Sequence, residues 1–306
     1  MQESRHHVLK DDFKKQCGRD HEFGVRAPGR VNLIGEHTDY NDGFCLPMAI
    51  ERDVLALVAR RDDQLVKVFS RESDAVVEFT LSNDIAKDPD QAWGDYVKGS
   101  ASVLIEAGYT LAGCEIALTG DVPLGSGLSS SAALEVAMVH AFLQASGQSL
   151  DGEKIALLAQ RAENKYVGIN CGILDQLSSA CCKAGQAMLM DCRDLSLAYA
   201  PLPDEVSIVI ADTGKRRGLV DSAYNERRSQ CEAGAAALGV PFLRDATLHA
   251  LYEAKQQGKI DAQTLLRCEH IVAENGRTQA AAACLRAGDM EAFGQLMDQS
   301  HADLRD

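Results

Sequence analysis

The segment GDVPLGSGLSSSAALEVA, residues 120–137, places Gly125, Gly127 and the three serines at 129–131 directly before a run of residues that favour helix. Glycine adopts backbone angles closed to other residues and lets a ligand approach the main chain. The first turn of a helix presents unpaired N–H groups and the positive end of its dipole, which attract anions. The segment therefore predicts a loop that binds phosphate through its backbone, although it lacks the Gly-Lys-Ser/Thr ending of a Walker loop and the GxGxxG spacing of dinucleotide-binding folds.

A second interpretation of the same residues is a serine-capped helix that follows a glycine turn. Serine is a preferred residue at the N-cap, and a single serine is enough for that purpose. Three serines behind two glycines favour phosphate binding instead, because their hydroxyls add hydrogen bonds and are suitable ligands for Mg²⁺.

The chain around this loop mixes strands and helices without the regular alternation of a Rossmann domain, which predicts an α+β fold. The predicted strands cover residues 54–60, 65–69, 76–81, 114–120, 187–192 and 206–212. Helical periodicity covers residues 93–107, 130–146 and 152–167, and nearly everything after Leu219. We expect His140 to pack inside its helix face, and His6 and His7 to lie in a mobile N-terminus.

The composition is that of an ordinary globular protein, with 306 residues, 46% hydrophobic and 25% charged. A net charge of −14 without a basic run argues against nucleic acid and anionic membranes as partners. The ten cysteines form no CxxC pair, which predicts free thiols in a reducing compartment. The N-terminal residues are charged and lack the apolar stretch of a signal peptide, so we expect a cytoplasmic protein.

A second segment, APGRVNLIGEHTDYNDG at residues 27–43, concentrates carboxylates, an imidazole and amides among shape-giving prolines and glycines. A solvated loop can be equally polar but does not need so many residues that constrain the backbone. Sugar hydroxyls both donate and accept hydrogen bonds, so a mixed polar set of this kind suits a polyhydroxylated ligand.

Together these two segments resemble the signature and phosphate loop of galactokinases, a branch of the GHMP kinase family that also holds homoserine and mevalonate kinases. Residues 162–180, AENKYVGINCGILDQLSSA, and residues 222–232, SAYNERRSQCE, are similar to further segments of that family. The resemblance runs from about residue 12 to the last residue. It implies a two-lobed α+β fold of mixed sheets and helices, with an N-terminal lobe at 1–187 and a C-terminal lobe at 188–306.

The resemblance also implies an activity: phosphorylation of the anomeric hydroxyl of α-D-galactose by ATP with Mg²⁺, in a monomer. Asp175 resembles the carboxylate that faces this hydroxyl, as a base or only to orient it, and Arg30 resembles its partner that faces the γ-phosphate. The implied sugar contacts are Glu36, His37, Asp39, Gly172 and Tyr224. The implied ATP contacts are Trp93, Tyr96, Pro123, Leu124, Gly125, Ser126, Gly127, Leu128, Ser129, Ser130 and Ser131. The implied Mg²⁺ ligands are Ser131 and Glu163.

Single residues of this set have simpler interpretations. Asp175 could cap a helix, Trp93 could be a core residue, and Glu163 could form a surface ion pair. The two segments, occurring in the family's order, favour the functional interpretation over these.

The sequence departs from the family pattern at its end. Galactokinases usually continue further and carry a late glycine-rich segment resembling GGGFGG, whereas residues 288–306 read as an amphipathic helix. We therefore expect a second lobe that lacks strands and exposes apolar surface.

Three alternatives remain open from the sequence. They are a galactose-sensing homologue without catalysis, a kinase for another sugar such as N-acetylgalactosamine or arabinose, and a shortened chain that is impaired or inert. The intact GLSSSAA and GEHTDYNDG stretches favour a galactose kinase over the first two.

Overall fold

The apolar strands predicted in the first half of the chain join one five-stranded sheet in the computed structural model, which describes residues 2–212, 214 and 220–305. The strands of the structure are β1 (Phe23–Asn32), β2 (Phe44–Cys45), β3 (Pro47–Arg60), β4 (Leu65–Ser70), β5 (Ala75–Thr80), β6 (Cys114–Gly120), β7 (Gln186–Asp191) and β8 (Leu197–Pro201). The helices are α1 (Gln2–Cys17), α2 (Ala92–Glu106), α3 (Ser130–Ala145), α4 (Gly152–Arg161), α5 (Leu174–Cys181), α6 (Val220–Leu238), α7 (Leu248–Gln256), α8 (Ala262–Ala287) and α9 (Met290–Arg305).

The chain divides into two units, each built from discontinuous stretches. The first unit comprises residues 1–30, 50–171 and 175–181, and the second comprises residues 31–49, 172–174 and 182–306. The single boundary after residue 187 stays a prediction from the sequence.

The sheet of the first unit has the order β1-β3-β6-β4-β5 and is buried on both faces. Because successive residues of a strand point to opposite faces, Val54, Ala56 and Val58 of β3 join the core formed with α2, α3 and α4. Leu55 and Leu57 face the other way and pack against α1. Because both faces of the sheet are buried here, residues 54–59 of β3 form a continuous apolar run.

Helix α1 corrects the prediction of a mobile N-terminus. Leu9 and Phe13 are fully buried, and they pack against Leu55, Leu57 and Phe69 of the sheet. The helix has little hydrophobic periodicity, because most of its other positions are charged or polar.

Truncation of Phe13 tests how firmly α1 is docked. Phe13→Ala should lower the free energy of unfolding by about 3–5 kcal/mol, because it leaves a cavity against the sheet. Chemical denaturation measures the change, with Val8→Ala on an exposed position of the same helix as the control. If the two variants have equal stability, α1 does not contribute to the core of this unit.

The second unit combines a small antiparallel sheet, in the order β2-β7-β8, with helices α6–α9. One apolar cluster joins the sheet to α8 and α9 through Leu46, Ala200, Ala281 and Phe293. A second cluster joins α6, α7 and α8. The long helix α8 is therefore the element around which this unit packs.

Two sequence predictions outside the site are wrong. Residues 206–212 form no strand, and Val209 is 86% exposed, because no strand pairs with this stretch within the described part of the chain. His140 is exposed rather than packed, although its neighbours along α3 are buried. The ten cysteines are free thiols, as predicted, and five of them are buried.

Candidate active site

The phosphate loop, residues 123–131, joins β6 to α3 and has an unusual backbone. Gly125, Gly127 and Ser129 have φ values of 67°, 78° and 62°, in the left-handed region. When residues in the left-handed region alternate with other residues, successive N–H groups point toward one concave side of the chain. This arrangement is suited to binding an anion. The last two residues of the loop, Ser130 and Ser131, begin α3, which adds the N–H groups of its first turn.

The interpretation of the loop as a simple serine cap is wrong. Ser129 stands at the N-cap of α3, but its side chain makes no capping hydrogen bond. Its Oγ is buried and has no hydrogen-bond partner among the described residues. A buried hydroxyl that the helix does not use is available to a ligand.

Arg30 on β1 links this loop to the carboxylate of Asp175. The backbone N–H of Arg30 donates to the Leu128 carbonyl at 3.1 Å, so β1 runs beside the loop. Its guanidinium donates from Nη1 to the Gly127 carbonyl and from Nη2 to Asp175 Oδ1, each at 2.5 Å. The Arg30 side chain is 12% exposed and that of Asp175 31% exposed, so the ion pair lies partly out of water.

Glu163 lies in a π-helical turn, Ala162–Val167, directly after α4, and it is 5% exposed. The interpretation as a surface ion pair is therefore wrong. Burial raises the pKa of Glu163, while hydrogen bonds from Cys171, Ser131 and Gln176 favour the charged form. The Gln176 amide donates a hydrogen bond to Glu163 Oε2 at 2.5 Å. The Cys171 thiol donates to the same oxygen at 3.3 Å.

Ser131 and Glu163 fit the requirements of Mg²⁺. The ion takes oxygen ligands and is usually held by one or two carboxylates together with phosphate oxygens and water. The Ser131 hydroxyl interacts with the Glu163 carboxylate, so one hydroxyl and one carboxylate stand together at the start of α3. The described residues contain no group of three or more His, Cys, Asp or Glu side chains that could hold a metal alone.

Gln176 and Glu135 lie beside Glu163 but are not among the site residues predicted from the sequence. Gln176 is fully buried and its amide also donates to Glu135 Oε2 at 3.1 Å. Burial is the main cause that raises the pKa of Glu135 well above its usual value, and the charge of the neighbouring Glu163 raises it further. The available signal was a glutamate inside the apolar run AALEVAMV, where a buried charge needs a partner.

The two aromatic residues proposed for the adenine lie on α2. Trp93 and Tyr96 are both half-buried. Trp93 packs against the apolar core of the first unit, so core packing accounts for part of its surface. Their role toward ATP stays a prediction.

The predicted sugar contacts Glu36, His37 and Tyr224 lie in the second unit. Glu36 accepts a hydrogen bond from Asn32 Nδ2 at 2.8 Å. His37 Nδ1 shares a hydrogen bond with the Tyr40 hydroxyl at 3.0 Å. The ring of Tyr224 on α6 lies 5.9 Å from that of His37 and 5.6 Å from that of Tyr40.

Asp39 and Gly172 belong to the same group. Asp39 begins a short 3₁₀ turn, Asp39–Asn41, and its carboxylate lies against Gly172. A Cβ atom at position 172 would overlap Asp39 Oδ2, so glycine is required for this approach. All five predicted sugar contacts thus come from one unit, and Arg30, Asp175, the phosphate loop and Glu163 come from the other.

Comparison with known proteins gives matches to two family models and to solved structures. Residues 11–60 match the family described as "Galactokinase galactose-binding signature", and residues 95–183 match "GHMP kinases N terminal domain". The structure is similar to that of Lactococcus lactis galactokinase complexed with galactose, with a TM-score of 0.88 and 32% identity. That similarity covers 98% of this chain and 79% of the lactococcal chain.

More distant structures share the fold. A D-glycero-D-manno-heptose 1-phosphate kinase from Bacteroides thetaiotaomicron has a TM-score of 0.61 at 16% identity, over 92% of this chain and 79% of its own. Streptococcus pneumoniae phosphomevalonate kinase, in complex with phosphomevalonate and AMPPNP, has a TM-score of 0.61 at 14% identity, over 93% and 80%. The matches confirm the predicted α+β kinase fold. Among the residues described, no helix has both the length and the apolar character needed to cross a membrane.

Proposed function

Because this chain belongs to the galactokinase branch of the GHMP kinases and is a sugar kinase, we propose that it transfers the γ-phosphoryl group of ATP to the anomeric hydroxyl of α-D-galactose. The products are galactose 1-phosphate and ADP. The proposal rests on both groups of residues described above and on the chemistry that each can perform.

The observation that carries the proposal is the pair of hydrogen bonds that the Arg30 guanidinium donates. One arm of its guanidinium contacts the phosphate loop at Gly127 and the other contacts Asp175. Phosphoryl transfer depends chiefly on positioning and on neutralising charge around the transferring group. A guanidinium placed between a phosphate-binding loop and a carboxylate supplies both.

Asp175 orients the attacking hydroxyl and accepts its proton late in the transfer. Its carboxylate has one oxygen engaged by Arg30, and the side chain is partly exposed. Ser131 and Glu163 would hold Mg²⁺, which would supply positive charge against the triphosphate. Gln176 keeps the Glu163 carboxylate oriented.

The sugar is recognised by Glu36, His37, Asp39, Tyr224 and the backbone at Gly172. Glu36 and Asp39 accept hydrogen bonds from hydroxyl groups, while imidazole and phenol can donate or accept. A site built for hydroxyls in fixed positions discriminates strongly against sugars that lack them.

The test is ADP formation by the purified chain with Mg-ATP and galactose, with identification of the phosphorylated product. N-acetylgalactosamine, arabinose and glucose serve as alternative acceptors. We expect turnover with galactose above that with each of the others. Faster turnover of another sugar would contradict the proposed substrate, and sugar binding without turnover in a folded sample would contradict the proposed reaction.

Replacement of Gly172 tests the sugar group. Gly172→Ala should raise the KM for galactose by about 100-fold, because the new methyl group displaces the Asp39 carboxylate. The KM for ATP should stay near its wild-type value. Steady-state kinetics in both substrates measures the effect, and Gly276→Ala, where a Cβ meets nothing within 4 Å, is the matched control. An unchanged KM for galactose would remove Asp39 and Gly172 from the sugar site.

A further inference from the structure

The loop that carries Glu36, His37 and Asp39 has a backbone that its own sequence does not fix. We call residues 33–45 the signature loop. Gly35, His37 and Asp42 have φ values of 97°, 64° and 56°, and two of these residues are not glycine. Such conformations cost energy and persist only where surrounding groups hold them.

Those surrounding groups come from one face of α8, in the same unit. Glu274 Oε1 accepts hydrogen bonds from the backbone N–H groups of Gly35 at 2.9 Å and Glu36 at 3.2 Å. His270 Nε2 donates to the Glu36 carbonyl at 3.0 Å. Asn275 Oδ1 accepts from the Phe44 N–H at 3.0 Å. Both ends of the signature loop are therefore tied to buried side chains of a single helix.

Glu274 is the centre of this arrangement. Its side chain is completely buried, and it also accepts hydrogen bonds from Ser300 Oγ at 2.6 Å and Arg277 Nε at 2.7 Å. Burial acts to raise the pKa of Glu274. The hydrogen bonds from Ser300, Arg277 and Gly35, together with the nearby His270, outweigh burial and lower the pKa below its usual value. The carboxylate is thus charged at neutral pH, and four donors satisfy it.

We propose that Glu274 is a positioning residue for sugar binding: by fixing the peptide between Gly35 and Glu36, it sets the directions in which Glu36 and His37 present their side chains to the substrate. Glu274 itself contacts the loop backbone and acts only through it. The proposal rests on the proposed function for the identity of the ligand.

A methionine at this position keeps most of the side-chain volume but removes the charge and both acceptor oxygens, so the N–H groups of Gly35 and Glu36 lose their acceptor. Glu274→Met should raise the dissociation constant for galactose and its KM by about tenfold or more, with kcat and the KM for ATP near wild-type values. Calorimetry measures binding separately from turnover. Hydrogen–deuterium exchange should be faster in the peptides that cover residues 33–45.

Ser300→Ala is the matched control, because it removes a hydrogen bond to the same carboxylate without touching the loop. It should lower stability while the galactose constants stay unchanged. His270→Ala, which frees the Glu36 carbonyl, should raise the galactose constants in the same direction and serves if Glu274→Met does not fold.

Wild-type galactose binding and loop exchange in Glu274→Met would overturn the proposal, as would an equal rise in KM in Ser300→Ala. If the wild-type chain binds none of the sugars tested, the proposed function fails. Exchange of the Gly35 and Glu36 amides then still decides whether Glu274 holds the loop.

Discussion

Asp175→Asn should lower kcat for galactose phosphorylation by at least about 100-fold, because it removes the group that orients and deprotonates the attacking hydroxyl. Asparagine preserves the size of the side chain and the start of α5. It lacks the negative charge that Arg30 contacts at 2.5 Å, and its amide group would in part face a cation. The loss should therefore appear in the chemical step rather than in folding.

The measurement is steady-state ADP formation, together with galactose binding by calorimetry. We expect the dissociation constant for galactose to change far less than kcat, because the sugar contacts of the second unit are untouched. Asp298→Asn, an exposed aspartate with no hydrogen bond among those described, should behave as wild type. Turnover near the wild-type rate in Asp175→Asn would refute an essential role for this carboxylate.

The hydrophobic pattern of the sequence correctly predicted those strands and helices whose buried residues follow the period of the element itself. The bounds of β6, Cys114–Gly120, are those expected from its β-branched and apolar residues, and α3 ends within one residue of its predicted end. The stretch at 206–212 has the same composition but no neighbouring strand within the described residues. Strand formation depends on a pairing partner, which local composition does not reveal.

The site could be predicted only in part. The family resemblance implied that Arg30 pairs with Asp175, and the two side chains lie 2.5 Å apart although they are 145 positions apart in the chain. Local spacing alone does not predict this contact. Glu274 and Asn275 are not among the predicted site residues, because the helical pattern after Leu219 does not reveal which groups their side chains contact. They occupy the buried face of α8 between Ile271 and Thr278, so polar residues at core positions were the available signal.

Arg30→Lys should lower kcat/KM for galactose by about 1,000-fold, although the positive charge is retained. Lysine carries a single ammonium group and cannot reach the Gly127 carbonyl and Asp175 with the fixed fork of a guanidinium. The Arg30 Nε atom is buried and has no hydrogen-bond partner among the described residues, so it is a third donor that lysine lacks.

The matched control is Arg26→Lys on the same strand, where the arginine also pairs with a carboxylate, Asp53, but lies outside the proposed machinery. Its kcat should stay near the wild-type value. Because Arg30 and Asp175 act as one unit, the double variant Arg30→Lys with Asp175→Asn should lose much less than the product of the two single losses. Independent, multiplicative losses would mean that the two residues serve separate steps, and activity within tenfold of wild type in Arg30→Lys would mean that charge alone is enough.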